Sequence, residues 1–224
     1  MKVSVVIPCH NNYYLLNQVL FDLYKHCVND IDEIVVVNDA STEKGFLDGL
    51  QGFWLDSKML KSKITLVDLK TNVGFLKASN EGMEAALGDI LILLSNDVRV
   101  HDNVVDKIKK VVRNYPNGGL IGGRYLDFDT GWNKFGNNIF PYLEGWLLAC
   151  TSEVWSDLGG FDERFAPNDY EDIDLSTAAL EMGYPLLTVD ANVQHIGGQT
   201  IGFDEAREML TNTNKKKFEA KWIK

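Results

Sequence analysis

Short runs of β-branched and aliphatic residues alternate with amphipathic segments through the first half of the chain, and this alternation constrains the fold most. The apolar runs predict strands at residues 3–7, 33–37, 64–69 and 89–94. The periodic segments predict helices at residues 12–27, 75–87 and 102–114. Nearly continuous apolar strands separated by helices are typical of a parallel sheet covered on both faces. We therefore expect an α/β fold with a mostly parallel, Rossmann-like sheet, whose first strand stops at Pro8.

Three of the predicted strands end in polar residues that suit ligand binding. These ends are Pro8, Cys9, His10 and Asn11; Asn38 and Asp39; and Ser95, Asn96 and Asp97. In open α/β sheets ligands bind at the carboxyl ends of the strands, so these residues should share one edge. The sequence has no GxxxxGK[ST] or GxGxxG loop, so a metal or isolated basic groups would have to meet any phosphate charge.

Individual residues at this edge allow more than one interpretation. Asp39 can accept a hydrogen bond from a base N–H, or form a turn with Asn38 that its own side chain caps. Asp97 follows the most hydrophobic strand, and a lone carboxylate there can bind a divalent cation together with phosphate oxygens and water. His195 follows a strand-like run at residues 185–189, and it either joins that cation or is a buried structural histidine.

A dense group of acids opens a helix in the second half. Glu171, Asp172 and Asp174 come just before apolar residues with the spacing of one helix face, and Gly183 ends the pattern. The helix dipole favours carboxylates in a first turn, and a charged carboxylate beside a pocket suits a general base. The alternative is an ordinary acidic helix start. Asp174 lies next to the apolar face and is expected to cap the helix or to bond neighbouring backbone.

Composition excludes several classes of function. The net charge of −10 disfavours broad nucleic-acid binding. Three widely spaced cysteines without a CxxC pair favour a reducing compartment over a disulfide framework or a zinc site. No apolar run approaches the roughly 18 residues of a membrane span, and no secretory signal is evident, so we expect a cytoplasmic protein.

The last segment of the sequence is basic. The tail at residues 214–224 places five lysines around Phe218, Trp222 and Ile223. It would either touch an anionic membrane surface weakly, which would make the protein peripheral at the membrane, or be a solvated end.

Four segments resemble, in order, motifs of the family 2 glycosyltransferases of the GT-A fold. The segment VSVVIPCHNN resembles the opening VSVIIPTYN, and EIVVVNDASTE resembles EIIVVDDGSTD. The segment TNVGFLKASNEGMEAALGDILILLSNDV resembles NxGxxxAxNxGxxxAxGDYILFLNxD, which carries the Asp-x-Asp region. The segment YEDIDLSTAALEMGY resembles the part that holds the acidic pair with the catalytic base. The resemblance covers residues 3 to about 202, nearly the whole chain.

The resemblance implies a nucleotide-diphosphate sugar as donor, Mn²⁺ or Mg²⁺, and inversion at the anomeric carbon. It implies a metal site at Asp97 and His195, and a general base at Asp172. Glu171, with its longer side chain, would orient the acceptor. The implied acceptor is a glycan, a lipid-linked compound or another compound with a hydroxyl group. Donor contacts are implied at Pro8, His10, Asn11, Asp39, Asn72, Ser95 and Asn96.

The sequence also departs from the family pattern. Asn38 stands where the first Asp of a pair is usual, Ser95 replaces the first Asp of Asp-x-Asp, and His10 replaces a usual Tyr. Relatives with LNND at this point, many of them rhamnosyltransferase-like, also retain only the last Asp.

We expect residues 1–115 to form the nucleotide-sugar-binding half of one GT-A domain and residues 116–224 a smaller, mixed acceptor-side half. Loops such as residues 125–144 would set specificity. The chain ends soon after this core, which favours transfer of a single sugar over polymerisation. Two alternatives are a catalytically silent nucleotide- or sugar-binding module and a nucleotidyltransferase, although the latter usually needs a glycine-rich loop near its N-terminus.

Overall fold

The computed structural model describes residues 1–46, 63–123, 131–197 and 205–223. The described strands are β1 Val3–Cys9, β2 Glu33–Asn38, β3 Ile64–Asp68, β4 Ile90–Leu94, β5 Val98–Val100, β6 Leu120–Gly123, β7 Gly131–Phe135, β8 Asn138–Tyr142, β9 Leu147–Thr151, β10 Leu186–Val189 and β11 Val193–His195. The described α-helices are α1 Tyr13–Cys27, α2 Phe75–Ala85, α3 Val104–Asn114, α4 Ser152–Leu158, α5 Glu171–Glu181 and α6 Glu205–Trp222. A 3₁₀ turn spans Glu163–Phe165.

The centre of the fold is a seven-stranded sheet with the order β10-β6-β9-β4-β1-β2-β3. Strands β4, β1, β2 and β3 are parallel, β10 is parallel to β6, and β9 runs antiparallel to both of its neighbours. The predicted α/β class with a mostly parallel sheet is therefore confirmed. Strands β6, β9 and β10 come from the second half of the chain and extend the sheet that the first half begins.

Both faces of the sheet are covered because the side chains of a strand alternate between them. In β1, Val5 belongs to a core with α1 and α3, whereas Val6 belongs to the core on the opposite face with α2 and α5. Each fully buried aliphatic side chain contributes about 1.5–3 kcal/mol. The sheet is thus a rigid platform for whatever lies at its carboxyl edge.

The first strand does not stop at Pro8, which corrects the sequence expectation. It continues to Cys9, and Pro8 is aligned with Val37 of β2. Pairing between β1 and β4 ends at Val6, so β1 has a single neighbour where the proline lies. A strand with one open edge accommodates a residue that lacks an N–H group.

The C-terminal segment packs against the rest of the protein. This corrects the expectation that residues 214–224 form a solvated end. Phe218 of α6 is fully buried, and Trp222 and Ile223 pack against the same core. The Nζ atom of Lys221 lies 2.9 Å from a carboxylate oxygen of Asp162. The apolar side chains of the tail therefore pack against the protein core. In the part of the chain that the structure describes, no helix has the length and apolarity needed to cross a membrane.

Candidate active site

A cleft of about 1030 Å³ opens at the carboxyl ends of β1, β2 and β4. Both halves of the chain line it, because the loop before α5, the end of β11 and the first turns of α6 reach over the sheet edge. Ten residues singled out from the sequence lie in its wall: Pro8, His10, Asp39, Asn72, Ser95, Asn96, Asp97, Glu171, Asp172 and His195. Residues 125–130 of the loop expected to set specificity, and residues 198–202 of the family resemblance, lie outside the described residues.

Asn11 is not part of the cleft wall but holds two strand-end loops together. Its backbone is left-handed, with φ 56°, a conformation that asparagine tolerates better than most residues. Its N–H donates to Oγ of Ser41 at 2.8 Å, and its Oδ1 accepts from the N–H groups of Thr42 and Glu43, each at 2.8 Å. Asn11 thus joins the loop after β1 to the loop after β2.

The ring of His10 is fixed from both of its nitrogens. Nδ1 lies 2.6 Å from the carbonyl oxygen of Asp39, and Nε2 lies 3.0 Å from Nδ2 of Asn11. The carbonyl can only accept and the amide N–H donates, so Nδ1 is the donor and Nε2 the acceptor in these two bonds. His10 therefore presents an oriented aromatic face to the cleft.

Asp39 connects β2 to the start of α2. Its Oδ1 accepts from the N–H of Val73 at 2.7 Å, and its Oδ2 accepts from the N–H of Gly74 at 2.9 Å. The side chain is buried, yet it lines the cleft. Each carboxylate oxygen has a further lone pair, so these bonds leave acceptor capacity for a ligand.

The structure explains why asparagine, rather than the usual aspartate of the family, is found at position 38. Nδ2 of Asn38 donates to Oδ1 of Asp68 at 2.8 Å, and Oδ1 of Asn38 accepts from the N–H of Ser41 at 3.0 Å. The bond from Asn38, followed by that from Lys70, holds the pKa of Asp68 below its ordinary value. An aspartate in place of Asn38 would face Asp68 as a like charge, so the departure from the family pattern is matched by its neighbour.

Asp97 is the acidic residue of the cleft wall that follows β4. Its Oδ1 accepts from Oγ of Ser95 at 2.5 Å and lies 3.2 Å from Nε2 of His195. Burial alone would raise the pKa of Asp97, but the hydrogen bonds from His195 and Ser95 outweigh it and keep the pKa below its ordinary value. Asp97 is therefore ionised at neutral pH.

An aromatic neighbour fixes His195. The rings of Trp146 and His195 are stacked, with centroids 5.6 Å apart and an interplanar angle of 17°. The indole Nε1 of Trp146 donates in turn to Oε2 of Glu144 at 2.6 Å. Glu144 is the last residue of the loop expected to set specificity, whereas Trp146 was not singled out from the sequence as a site residue.

Asp97 and His195 together suit a divalent cation that a bound ligand would also coordinate. An ionised carboxylate and an imidazole supply two ligands, and phosphate oxygens and water are the usual remainder. Among the described residues, no group of three or more His, Cys, Asp or Glu side chains is arranged to hold a metal. The residues therefore fit a cation held jointly with a diphosphate rather than by protein alone.

The acidic pair at the start of α5 combines two carboxyl groups in different environments. Oδ1 of Asp172 accepts from the N–H of Ile173 at 2.8 Å, and Oδ2 accepts from the N–H of Gly145 at 3.2 Å. Burial raises the pKa of Asp172 to about 6 against these bonds. Burial, followed by the charge of Asp172, raises the pKa of Glu171 well above its ordinary value. With a pKa of about 6, Asp172 is mostly charged at neutral pH, whereas burial favours the protonated form of Glu171.

Asp174 neither caps the helix nor bonds neighbouring backbone, which corrects that expectation. Its oxygens accept from Nζ of Lys221 at 2.8 Å and from Nε1 of Trp222 at 2.7 Å. Asp174 is buried and is absent from the cleft wall. It attaches the last turn of α6 to the first turn of α5.

Sequence reasoning missed the part of the site that α6 builds. Nδ2 of Asn214 donates to the carbonyl oxygens of Phe165, Asn168 and Asp169 at 2.7, 2.8 and 3.0 Å. Asp169 and Tyr170 have left-handed backbones, with φ 71° and 74°, and such strain persists only where surrounding contacts enforce it. The guanidinium of Arg207 pairs with Asp169 at 3.0 Å. The inward face of α6 carries Thr211 and Asn214 beside Phe218 and Trp222, so the apolar spacing that would have identified it is incomplete.

The chain matches the family described as Glycosyl transferase family 2 over residues 4–173, well over half of its length, and it belongs to that family. It is 31% identical over 122 residues to "Uncharacterized glycosyltransferase YfnE" of Bacillus subtilis (strain 168), covering 54% of this chain and 30% of that protein. It is 28% identical over 129 residues to the dolichol-phosphate mannosyltransferase of Pyrococcus furiosus, covering 56% and 34%. The chain therefore spans about a third of the length of these two curated relatives.

Solved structures show the same fold. The mannosyltransferase PcManGT from Pyrobaculum calidifontis, in complex with GDP-Man and Mn²⁺, matches with a TM-score of 0.65 and 24% identity, covering 84% of this chain and 55% of that one. GalNAc-T7 with UDP, GalNAc and Mn²⁺ matches with a TM-score of 0.77 and 17% identity, covering 99% and 48%. The GT-A fold expected from the sequence is confirmed.

Proposed function

We propose that the protein transfers one sugar, with inversion, from a nucleotide-diphosphate sugar to a hydroxyl acceptor, and that it requires a divalent cation. One observation carries this proposal. A single cleft brings together a pair suited to a shared cation, Asp97 and His195, and a carboxylate with the pKa of a general base, Asp172. The acceptor would be a glycan, a lipid-linked or another hydroxyl compound.

The donor nucleotide would lie at the ends of β1 and β2. His10 offers an oriented ring for stacking, and Asp39 offers acceptor capacity for a base N–H. Pro8 and Asn72 line the same end of the cleft. The structural relatives crystallised with GDP-Man and with UDP support a nucleotide-linked donor.

The diphosphate would lie beside Ser95, Asn96 and Asp97. Asp97 and His195 are the residues that would hold Mn²⁺ or Mg²⁺ with it. When bound, the cation supplies positive charge that stabilises the diphosphate as it leaves.

Asp172 would accept the proton of the acceptor hydroxyl. As that proton moves to Asp172, the acceptor oxygen forms its bond to the anomeric carbon, and the bond from that carbon to the diphosphate breaks on the opposite face. With a pKa near 6, Asp172 is ionised at neutral pH and still basic enough to take a proton. Glu171, whose pKa burial raises well above its ordinary value, would hydrogen-bond the acceptor and orient it.

A donor screen tests the proposal. Release of nucleoside diphosphate is measured with a panel of nucleotide sugars, with Mn²⁺ and with EDTA, for the wild type and for Asp172→Asn. Asp190→Asn, at an exposed position, is the matched control. We expect release with at least one donor, only with the metal, and loss in Asp172→Asn alone. Binding without release from any donor, in the presence or absence of candidate acceptors, would indicate a silent binding module.

We also propose a cytoplasmic location. Cys9, Cys27 and Cys150 are free and buried, and burial raises the pKa of each thiol, to about 12, 11 and 12 respectively. Such thiols suit a compartment that keeps cysteines reduced.

A further inference from the structure

Three buried polar atoms in the cleft wall have no hydrogen-bond partner. They are Nδ2 of Asn96, Nδ2 of Asn168 and Oε2 of Glu171, and these side chains belong to residues that are 4%, 5% and 6% exposed. Most buried polar groups in folded proteins are satisfied, and leaving one unpaired costs about 1–3 kcal/mol. Three such atoms in one cleft point to a ligand with several hydroxyl groups.

Asn168 is the member of this set to which neither the sequence motifs nor the proposed chemistry assigns a role. Its backbone is fixed, because its carbonyl oxygen accepts from Nδ2 of Asn214 at 2.8 Å. Its side-chain amide helps to lower the pKa of Asp169, yet Nδ2 has no acceptor in hydrogen-bond geometry. The carboxylate of Asp169 is already held by Arg207 and Thr211. The Asn168 amide is therefore buried, and its Nδ2 atom has no acceptor within the protein.

The loop that carries Asn168 runs from the proposed nucleotide side of the cleft to the proposed general base, Asp172. At its start, the carbonyl oxygen of Pro167 accepts from the N–H of Leu76 at 3.0 Å, beside Gly74 and its bond to Asp39. At its end lie Glu171 and Asp172. Asn168 therefore lies in the loop between the proposed nucleotide site and the acidic pair Glu171 and Asp172.

We propose that Asn168 is a specificity-determining residue that donates a hydrogen bond to a ring hydroxyl of the transferred sugar. The proposal rests on the proposed function, since inversion places the sugar ring between the departing diphosphate and Asp172. Asn96 is next to Asp97 and Glu171 is next to Asp172, so both unpartnered side chains belong to the cleft wall on either side of the proposed reaction. A hydroxyl group both donates and accepts, so it can satisfy an amide N–H and a carboxyl oxygen of this set.

The test compares the affinity of a nucleotide sugar with that of the matching nucleoside diphosphate. Calorimetry with Mn²⁺ is done for UDP and UDP-glucose, UDP and UDP-N-acetylglucosamine, GDP and GDP-mannose, and dTDP and dTDP-rhamnose. The proteins are the wild type, Asn168→Ala, and Asn29→Ala, a control at an exposed asparagine away from the cleft. Thermal unfolding verifies that each variant folds, and Asn168→Ser replaces Asn168→Ala if the latter does not.

We expect the sugar to add affinity in the wild type, and Asn168→Ala to lose roughly 2- to 10-fold of that gain while its affinity for the diphosphate alone is unchanged. Asn29→Ala should match the wild type. Full retention of the gain in Asn168→Ala, or a wild type in which no sugar adds affinity, would overturn the assignment of Asn168. Failure of the wild type to bind any of the nucleotides would instead contradict the proposed function.

Discussion

Nε2 of His195 lies 3.2 Å from Oδ1 of Asp97, although the two residues come from distant parts of the chain. The contact forms because β11 pairs antiparallel with β5, which aligns His195 with Val98. The backbone completes the connection, since the N–H of Ile196 donates to the carbonyl oxygen of Asp97 at 3.0 Å. The end of β11 is thereby attached to the loop that follows β4.

This pair predicts how metal binding should respond to substitution. Asp97→Asn removes the ionised ligand and should weaken Mn²⁺ binding, measured by calorimetry in the presence of the preferred nucleoside diphosphate, by at least about 10-fold. His195→Ala should have a smaller effect in the same direction. His101→Ala, at an exposed histidine outside the cleft, is the control. Wild-type Mn²⁺ affinity in Asp97→Asn would remove this residue from the metal site.

The raised pKa of Asp172 predicts the acid limb of the pH profile. A general base must be deprotonated, so kcat/KM should be level above the pKa of about 6 and fall about tenfold per pH unit below it. Burial, rather than the charge of Glu171, is the largest cause of the raised pKa of Asp172, so Glu171→Gln should leave the limb close to that of the wild type. A profile that stays flat to about pH 4.5, with the protein still folded, would argue against a base with this pKa.

Asn214 should be among the most sensitive positions for stability. Its amide satisfies carbonyl oxygens of Phe165, Asn168 and Asp169, and Asn214→Ala would leave buried acceptors unpaired. We expect the free energy of unfolding in urea to fall by at least about 2 kcal/mol. Asn212→Ala, at an exposed position of the same helix, should change it by less than about 0.5 kcal/mol. Equal effects of the two variants would show that the contacts of Asn214 do not support the loop.

Gly74 and Gly45 form a matched pair for testing the contact between α2 and the loop before α5. Both have positive φ, 84° and 82°, so alanine is strained at either, and at Gly74, where ψ is 167°, this strain adds to the effect of the contact. A Cβ atom at Gly74 would lie only 2.4 Å from Cβ of Pro167, whereas one at Gly45 would meet nothing within 4 Å. Gly74→Ala should therefore be clearly less stable in urea than Gly45→Ala, and it should also bind nucleotide more weakly. Equal stability losses would contradict a tight contact at Gly74.

Local patterns were sufficient to predict strands β1 to β4 and helices α1 to α3, but not the three-residue strand β5. Strands β1, β2 and β4 are buried along nearly their whole length and have almost continuous apolar sequences, so the amino-acid pattern alone places their polar ends at one sheet edge. The error at Pro8 arose because a proline ends a strand only where its missing N–H would face a neighbour. That depends on strand pairing, which the local sequence does not contain.

The contribution of α6 could not be predicted for a related reason. The inward face of this helix includes Thr211 and Asn214, so it lacks the apolar periodicity by which a buried helix is usually recognised. The partners of Asp174, likewise, are Lys221 and Trp222 from the far end of the chain. Contacts between polar side chains distant in sequence leave no periodic signal, and the site residues Asn168 and Trp146 were missed for the same reason.

The central claim is that Asp172 is the general base, and single-turnover transfer measured beside donor affinity tests it most directly. The variants are Asp172→Asn, Glu171→Gln and Asp174→Asn, with Asp190→Asn as control. We predict that Asp172→Asn loses roughly 10²- to 10⁴-fold in the rate of transfer while its donor affinity stays near that of the wild type. An inactive Glu171→Gln beside a normal Asp172→Asn would place the base one residue earlier. Normal transfer by all three variants would contradict the catalytic account of this helix.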